Sequence, residues 1–324
     1  MTGWGILATG KIARSFARDL RTVPGAEIVA AGSRRIEAAT AFVEEYGGRA
    51  HGSYEELVAD PEVDVVYVAS PHSLHLEHAT LAFEAGKPVL CEKPLTLNAR
   101  DAATLFDRAG DLFCMEAMWT ACHPVIRAVV ERVRAGIYGE PRQVHADLGF
   151  LVDAAPESRL LDPELGAGAL LDMGIYPLTL ADLVLGPIER ATATATLSDR
   201  GADLDVAIAT RHVNGAVGAL TASMTSWSPR TATLATSEGR IELPADFHHP
   251  PYAVWVPHAG EPERITGAAP VLGSGLGNEA LHVQECLAES LTESPLVPRA
   301  QTLRLMGVMD DLRSQIGVRY GTDG

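Results

Sequence analysis

The first 116 residues alternate short apolar strands with helices, and this alternation restricts the fold more than any other feature of the chain. Strands are predicted at Trp4–Ala8, Ala26–Gly32, Asp64–Ala69, Pro88–Cys91 and Leu112–Glu116. Helices lie between several of them, including one that carries Phe16 and Leu20 and one over Ala99–Ala109. Strands rich in apolar and β-branched residues that alternate with helices form a parallel sheet covered on both faces. The sequence therefore predicts a doubly wound α/β domain over residues 1–120.

Beyond Trp119 the pattern changes to strands joined by short polar turns. These strands are predicted at Arg142–Phe150, Glu189–Leu197, Leu204–His212, Ala216–Ser226, Arg230–Thr236 and Arg240–Leu243. Helices are predicted at Pro124–Ala135, Gly168–Leu185, Asn278–Leu291 and Ala300–Gly317, and His248–Pro251 is interpreted as a loop. Alternating strands in succession favour an antiparallel sheet with one covered face. Residues 121–324 are thus expected to form an α+β domain with a large, mostly antiparallel open sheet.

Composition excludes several classes of function. The chain has 324 residues and a formal net charge of −16, which argues against binding nucleic acid along a basic face. No apolar run is expected to reach the roughly 20 residues that span a bilayer, and the N-terminus lacks the pattern of a signal peptide. The four cysteines at 91, 114, 122 and 286 form no Cys-x-x-Cys pair. These features predict a cytoplasmic protein with free thiols.

The turn after the first strand resembles a dinucleotide-binding fingerprint. The frame Ala8-x-Gly10-x-x-Ala13 is a variant of G-x-G-x-x-G/A in which alanine replaces the first glycine. A glycine at the centre lets backbone approach a pyrophosphate, and the following helix offers unpaired N–H groups. We expect Thr9, Gly10, Lys11 and Ile12 to contact a dinucleotide; the alternative is a plain strand-to-helix turn.

The residues after the second strand indicate which dinucleotide is bound. Ser33-Arg34-Arg35 stands where an NAD site usually has Asp or Glu to hold the ribose 2′-hydroxyl. A hydroxyl and a guanidinium suit a 2′-phosphate instead. Ser33 and Arg34 therefore predict NADP, with NAD less favoured; the alternative is a solvated loop.

Two further strand ends carry candidate cofactor contacts. Ser70, Pro71 and His72 follow the third strong strand, and His75 lies in the next helix; we expect these four residues to contact the cofactor, with Pro71 and His72 on the nicotinamide side. The run His72-x-x-His75-x-x-His78 resembles a metal site, but no acidic or thiolate partner has ligand spacing, so no metal is predicted. Val89-Leu90-Cys91-Glu92-Lys93-Pro94 places Lys93 at the carboxyl end of a buried strand, where open α/β sheets bind ligands. The alternative there is a surface Glu-Lys pair before a turn.

Three motifs together resemble a known family. They are Ala8-Thr9-Gly10-Lys11-Ile12-Ala13, Glu92-Lys93-Pro94, and Gly168-Ala169-Leu170-Leu171-Asp172-Met173-Gly174-Ile175-Tyr176-Pro177. In this order and spacing they resemble the glucose-fructose oxidoreductase / inositol dehydrogenase (Gfo/Idh/MocA) family over nearly the whole chain. Met115–Thr120 and a tyrosine at 176 look most like the dihydrodiol dehydrogenase and NADP-dependent xylose dehydrogenase branch. The loop over residues 152–159 does not match one member closely enough to name a substrate.

The resemblance implies a Rossmann domain, a nicotinamide cofactor, and a sugar, polyol or cyclic diol as substrate. Lys93, Asp172 and Tyr176 map onto the family's catalytic residues. On this basis Tyr176 is the expected acid/base, and Lys93 either lowers the pKa of its phenol or binds the reacting oxygen directly. Asp172 is expected to orient the substrate or Lys93, Glu92 to contact the cofactor, and Trp119 either to line the nicotinamide pocket or to pack in the core.

Three functions remain open from the sequence. The first is an NADP-dependent aldose or polyol dehydrogenase, the second a trans-dihydrodiol dehydrogenase, and the third an NADP-binding sensor without turnover. Ala191, Ala193 and Ala195 alternate with threonines along one strand, so its second face is small and weakly polar. Such a face suits a sheet that meets its own copy, and a homodimer through the C-terminal sheet is predicted.

Overall fold

A computed structural model describes residues 1–154, 158 and 160–321. By internal packing the chain divides into two units. Unit 1 consists of Met1–Cys122 and Val271–Leu303, and unit 2 of His123–Pro270 and Arg304–Gly324. The sequence predicted a division at 120/121. The structure differs in one respect, because the segment Val271–Leu303 packs with the N-terminal part of the chain.

Unit 1 contains a six-stranded parallel sheet. Its strands are β1 (Thr2–Leu7), β2 (Ala26–Gly32), β3 (Arg49–His51), β4 (Val65–Val68), β5 (Val89–Glu92) and β6 (Cys114–Ala117). They lie in the order β3-β2-β1-β4-β5-β6, and every pairing is parallel. This arrangement confirms the predicted doubly wound sheet, whose topological switch lies between β1 and β4.

The described residues contain ten α-helices, with short 3₁₀ turns at His72–Leu74 and Pro163–Leu165 and a π-helical turn at Leu170–Gly174. They are α1 (Lys11–Leu20), α2 (Ile36–Tyr46), α3 (Tyr54–Val58), α4 (His75–Glu84), α5 (Ala99–Ala109), α6 (Trp119–Cys122), α7 (Pro124–Arg134), α8 (Ile175–Leu185), α9 (Leu276–Ala288) and α10 (Arg299–Ile316). The apolar stripe of α1 packs on the sheet of unit 1, where Phe16 stacks on Tyr67 with ring centroids 3.8 Å apart.

Asp19 at the end of α1 binds the segment that returns from the C-terminal part of the chain. Its carboxylate accepts hydrogen bonds from the backbone N–H groups of Ser274 and Leu276, at 2.7 and 3.1 Å, and from the Ser274 hydroxyl. A Cβ on Gly273 would lie 2.2 Å from the Asp19 carboxyl carbon. A buried acid that supplies acceptors to a helix start satisfies donors that would otherwise be orphaned. This contact explains why α9 belongs to unit 1.

Unit 2 contains an eight-stranded sheet. Its strands are β7 (Pro141–Gly149), β8 (Ile188–Leu197), β9 (Asp203–His212), β10 (Val217–Ser223), β11 (Ala232–Thr236), β12 (Gly239–Leu243), β13 (Ala253–Pro257) and β14 (Glu263–Ile265). The order is β14-β13-β12-β11-β7-β10-β9-β8, and among the described strands of this second sheet only β7 and β10 pair in parallel. The predicted mostly antiparallel sheet is confirmed; β13 and β14 extend it beyond the strands that the sequence indicated.

The helical stretch Pro163–Leu185 corrects one expectation from composition. By length and apolar composition it could cross a membrane, whereas no run of that kind was expected. In the structure, 94% of its most apolar window is buried, and every residue of α8 is buried. The stretch therefore forms the core helix of unit 2, which explains its apolar composition without a bilayer.

Candidate active site

The turn between β1 and α1 is shaped to admit a ligand to its backbone. Ala8 adopts φ +74°, in the left-handed region that favours glycine. Gly10 precedes the first turn of α1, which carries no acidic side chain, and a Cβ on Gly10 would meet nothing within 4 Å. The open space beside Gly10 and the unpaired N–H groups of α1 form an anion site of the kind that binds a pyrophosphate.

The end of β2 presents a hydroxyl and an exposed guanidinium. Ser33 is half-buried, and Arg34 is exposed beside Tyr54. Burial raises the pKa of Tyr54, and the positive charge of Arg34 opposes that rise. Burial also lowers the pKa of His78, which lies edge-on to Tyr54 with ring centroids 4.7 Å apart. Tyr54 and His78 are thus neutral at pH 7 and add no charge of their own beside Arg34.

At the end of β4 a buried hydroxyl has no protein partner. Ser70 is buried, and its Oγ makes no hydrogen bond to any of the residues that the structure describes. Ala69, directly before it, donates its N–H to Leu7 O, so Ser70 lies at the switch point between β1 and β4. A buried donor without a partner costs free energy unless a ligand or water satisfies it. Pro71 and His72 follow in the same loop, with His72 at the start of a 3₁₀ turn.

The structure revises the predicted role of His75. Its ring is fully buried, with Nδ1 3.0 Å from the Pro94 carbonyl and Nε2 2.9 Å from the Ser70 carbonyl. Burial lowers the pKa of His75 to about 4. Both nitrogens are occupied by backbone, so His75 does not offer a polar atom to a cofactor. It instead connects the loop after β4 to the loop after β5.

Lys93 directly follows β5 and is half-buried. Its backbone N–H donates to Glu92 Oε2 at 3.2 Å, and the other oxygen of Glu92 accepts from the buried Tyr67 hydroxyl. The next turn is fixed by Glu116, which accepts from Leu95 N–H at 2.9 Å and from the Thr302 hydroxyl at 3.0 Å. Burial raises the pKa of Glu116, and the charge of Lys93 opposes this rise. Lys93 therefore extends from a backbone held on both sides by buried carboxyl groups.

Glu92 and Trp119 were both predicted to contact the cofactor, and the structure places them differently. Glu92 is buried, and both of its oxygens already accept protein hydrogen bonds. Its contribution is therefore to the position of the loop after β5. Trp119 begins α6 in unit 1 and is half-buried, so part of its ring remains accessible to a ligand.

In unit 2, Asp172 and Tyr176 lie on one continuous helical segment. Asp172 is within the π-helical turn Leu170–Gly174, and Tyr176 is in the first turn of α8. Asp172 is half-buried, and Tyr176 is 8% exposed. The sequence predicted a single helix over 168–185; the structure adds a π turn at its start, a feature that occurs often at functional sites.

A buried aspartate fixes the start of this segment. Asp203, at the first position of β9, is fully buried, and its Oδ2 accepts from Leu170 N–H at 2.6 Å. Gly168 has φ +137°, and a Cβ there would lie 2.0 Å from Asp203 Oδ1. Tyr320 adds a second restraint because its hydroxyl donates to the Ala167 carbonyl at 2.8 Å. Glycine at 168 is therefore required both by the backbone and by the approach of the carboxylate.

A histidine that the sequence left in a loop lies against Tyr176. The ring of His248 packs on the Tyr176 ring with centroids 4.8 Å apart and planes inclined at 45°. His248 and Tyr176 are 72 positions apart in the chain. The sequence marks this segment only by two histidines followed by two prolines, between β12 and β13.

Comparisons with known proteins agree with this geometry. Residues 2–115 match a family described as an oxidoreductase family with an NAD-binding Rossmann fold, and residues 126–242 match the GFO/IDH/MocA C-terminal domain. The trans-1,2-dihydrobenzene-1,2-diol dehydrogenase of Mus musculus is 33% identical over 337 residues, covering 99% of this chain and 98% of the mouse protein. The chain belongs to the GFO/IDH/MocA oxidoreductase family.

Solved structures support the same assignment. A 3-ketoreductase from Actinomadura kijaniata, crystallised with NADP and TDP-benzene, superposes with a TM-score of 0.85 at 26% identity, over 98% of both chains. An aldose-aldose oxidoreductase from Caulobacter crescentus shares the fold, with a TM-score of 0.87 at 22% identity over 97% of both chains. This GFO/IDH/MocA member is thus an NAD(P)-binding dehydrogenase acting on CH–OH groups, and the sensor without turnover is set aside.

The described residues of unit 1 fit the nicotinamide dinucleotide of this family. The open space at Gly10, the buried hydroxyl of Ser70 and the exposed guanidinium of Arg34 lie at the carboxyl ends of β1, β4 and β2. In a parallel sheet these ends meet at one edge. Thr9, Lys11 and Ile12 belong to the same turn, and their cofactor contacts stay a prediction.

The buried carboxyl of Asp203 makes the stability of this oxidoreductase depend on pH. Burial raises the pKa of Asp203 to about 6, although the hydrogen bond from Leu170 opposes the rise. A raised folded-state pKa contributes stability below pH 4 that is lost as the pH rises through 6. We expect Asp203→Asn, which does not titrate, to gain up to about 3 kcal/mol over wild type between pH 4 and 7. Urea unfolding across this range measures the difference; the exposed Asp199→Asn is the control, and parallel curves for wild type and Asp203→Asn would contradict the prediction.

Proposed function

We propose that this protein transfers a hydride between the nicotinamide of NADP and a carbinol or carbonyl carbon of a sugar or polyol. One observation carries the proposal: Lys93 directly follows β5, at the same sheet edge as the Gly10 turn, in a dehydrogenase of this family. Ser33 and Arg34 support NADP over NAD because they offer a hydroxyl and a cation and no acid. The solved ketoreductase that binds NADP adds support from a relative.

The chemistry requires a group that takes the substrate hydroxyl proton. Tyr176 is proposed for this role, with its hydroxyl as acid in reduction and its phenolate as base in oxidation. A free tyrosine has a pKa of about 10, so a cation is needed to favour the phenolate near neutral pH. Lys93 is proposed to supply that charge, and Asp172 to orient the substrate hydroxyl. When bound, the nicotinamide accepts or supplies the hydride.

A second substrate class is favoured by a particular surface. Trp227 and Leu151 are 67% and 65% exposed, and Phe150 meets Trp227 edge-on at 6.1 Å. The Arg230 guanidinium lies over the Trp227 ring at 4.3 Å. Aromatic side chains of this kind can stack on a flat carbocyclic ring. The mouse relative is named for a cyclic diol, so trans-dihydrodiols are the alternative substrates.

Both substrate classes are separated by one assay. Absorbance of NADPH is followed with a panel of aldoses, polyols and trans-dihydrodiols, in both reaction directions. The proposal expects kcat/KM to be largest for a sugar or polyol. A clear preference for dihydrodiols would select the alternative, and no turnover with either class would contradict the proposed function.

We expect Lys93→Met and Tyr176→Phe each to lower kcat by about 10²–10⁴-fold, because loss of one positioned acid/base group has this effect. NADPH affinity, followed by fluorescence, is expected to change little in Tyr176→Phe. Tyr252→Phe removes a hydroxyl from another partly exposed tyrosine of unit 2 and serves as the control. Wild-type turnover in both variants would remove the proposed mechanism.

Cofactor preference is tested at Ser33. An acid in this position repels a 2′-phosphate, so Ser33→Asp is expected to shift the ratio of kcat/KM for NADP and NAD toward NAD by roughly 10–100-fold. Ser33→Ala removes the hydroxyl without adding charge and separates the two effects. A wild-type protein that already uses NAD tenfold better than NADP would show that the assignment of this turn is wrong.

A cytosolic homodimer is proposed to accompany this activity. The described cysteines are buried free thiols, as expected in a reducing compartment. The face of the sheet opposite α8 exposes small side chains around a shallow depression of about 700 Å³, including Thr192, Thr194, Ala207, Ala219 and Thr221. A flat, weakly polar face of this kind suits contact with a second copy across a two-fold axis.

Sedimentation at micromolar concentration tests the dimer. Wild type is expected to have the mass of two chains, and Ala219→Arg, which places a charge on the exposed sheet face, to shift toward one chain. Val213→Arg changes a 65% exposed residue in the turn between β9 and β10 and is the matched control. A wild-type protein with one-chain mass at all concentrations would refute the proposed dimer.

A further inference from the structure

The loop between β12 and β13 carries a histidine that no role assigned above explains. His248 is 7% exposed, and its ring packs on Tyr176, which is 8% exposed, with centroids 4.8 Å apart. Both residues belong to unit 2, so the contact is internal to one compact body. The imidazole of His248 is therefore a direct ring contact of Tyr176.

The backbone around His248 is held by several independent contacts. Phe247 is fully buried, and its N–H donates to the Arg230 carbonyl at 3.1 Å. His249 N–H donates to the Asp246 carbonyl at 2.8 Å, which closes the turn. Arg230 Nε lies 2.7 Å from Asp246 Oδ1, and Pro250 and Pro251 follow. The position of His248 is consequently fixed by the buried Phe247 on one side and by Pro250 and Pro251 on the other.

This loop also stores backbone strain. Arg230 and Asp246 have φ values of +55° and +62°, in the left-handed region that non-glycine residues rarely adopt. Such a conformation is unfavourable for a non-glycine residue and persists where the surroundings require it. The two strained residues form the ion pair that closes the loop, so the strain serves the conformation that presents His248.

His249, which lies beside His248, and His123 are neutral near pH 7. His249 lies perpendicular to the His248 ring at 4.4 Å, and burial lowers its pKa. Burial lowers the pKa of His123 to about 4, and the charge of His249 adds to this effect. His249 therefore adds no positive charge beside the His248 ring near pH 7.

We propose that His248 is a positioning residue for Tyr176: its ring packs against the phenol and fixes the direction of the tyrosine hydroxyl. The inference rests on the proposed function, in which that hydroxyl exchanges the substrate proton. The O–H bond of tyrosine prefers the plane of its ring, and the χ2 torsion that sets this plane is broad, so neighbours have to fix it. A proton passes efficiently only when this bond is aligned with the reacting oxygen.

The test compares two replacements of the same ring. His248→Ala removes the flat surface and is expected to lower kcat by about 10–100-fold, with NADPH affinity little changed. His248→Phe retains a flat ring and is expected to restore kcat to within about threefold of wild type. If the alanine variant does not fold, His248→Leu fills the space without a flat ring and is expected to show the same loss. The exposed His258→Ala is the control.

A second comparison asks whether His248 acts through Tyr176. In a Tyr176→Phe background, His248→Ala is expected to cause no further loss of kcat, because residues that act as a unit are not additive. Wild-type kcat in His248→Ala, failure of His248→Phe to recover activity, or an equal loss in the Tyr176→Phe background would each overturn the inference. Wild-type kcat in Tyr176→Phe itself would instead refute the acid/base role in the proposed function, and the positioning role with it.

Discussion

The parallel register of the six-stranded sheet is the constraint on which the dinucleotide site depends. Parallel strands run in the same direction, so the carboxyl ends of all of them lie at the same edge of the sheet. Crossover connections, which are almost always right-handed, return the chain to the opposite edge. Ala8, Ser33, Ser70 and Lys93 follow four different strands, yet the register of β2, β1, β4 and β5 brings them to that edge. Residues between positions 8 and 93 of the sequence are thus brought to one edge of the sheet by its backbone hydrogen bonds.

Buried carboxyl groups fix the loops that matter in both units. Glu116 holds the turn after Lys93, Asp19 holds the segment before α9, and Asp203 holds the start of the helix that carries Asp172 and Tyr176. Each accepts backbone N–H groups that no regular element satisfies. Burial of an acid is costly, as the raised pKa of Asp203 shows, but the hydrogen bonds that it accepts are directional. These buried carboxyl groups therefore lower the stability of the fold somewhat, and they fix the conformation of the backbone at the site.

Sequence patterns predicted those features that depend on residues close together in the chain. The strands of unit 1, the Gly10 turn and the position of Lys93 follow from apolar runs and punctuation by glycine and proline, and the structure confirms this fold. The role of His75 was misjudged because its spacing does not reveal that both ring nitrogens meet backbone carbonyls from two different loops. Asp203 and His248 were missed for a related reason. Their partners, Leu170 and Tyr176, are 33 and 72 positions away, and no periodicity links them.

Backbone strain in the described residues falls mostly beside the candidate site. Of the four non-glycine residues with positive φ, Ala8 lies in the dinucleotide turn, and Arg230 and Asp246 close the loop that presents His248; Ser290, just after α9, is the exception. Alanine at position 8 gives up the conformational ease of glycine, so the surrounding strand and helix must hold it there. Arg230 and Asp246 are held by an ion pair and by a buried phenylalanine. The strain is thus supported by neighbouring contacts at each place, which is what allows a rigid site to be built from loops.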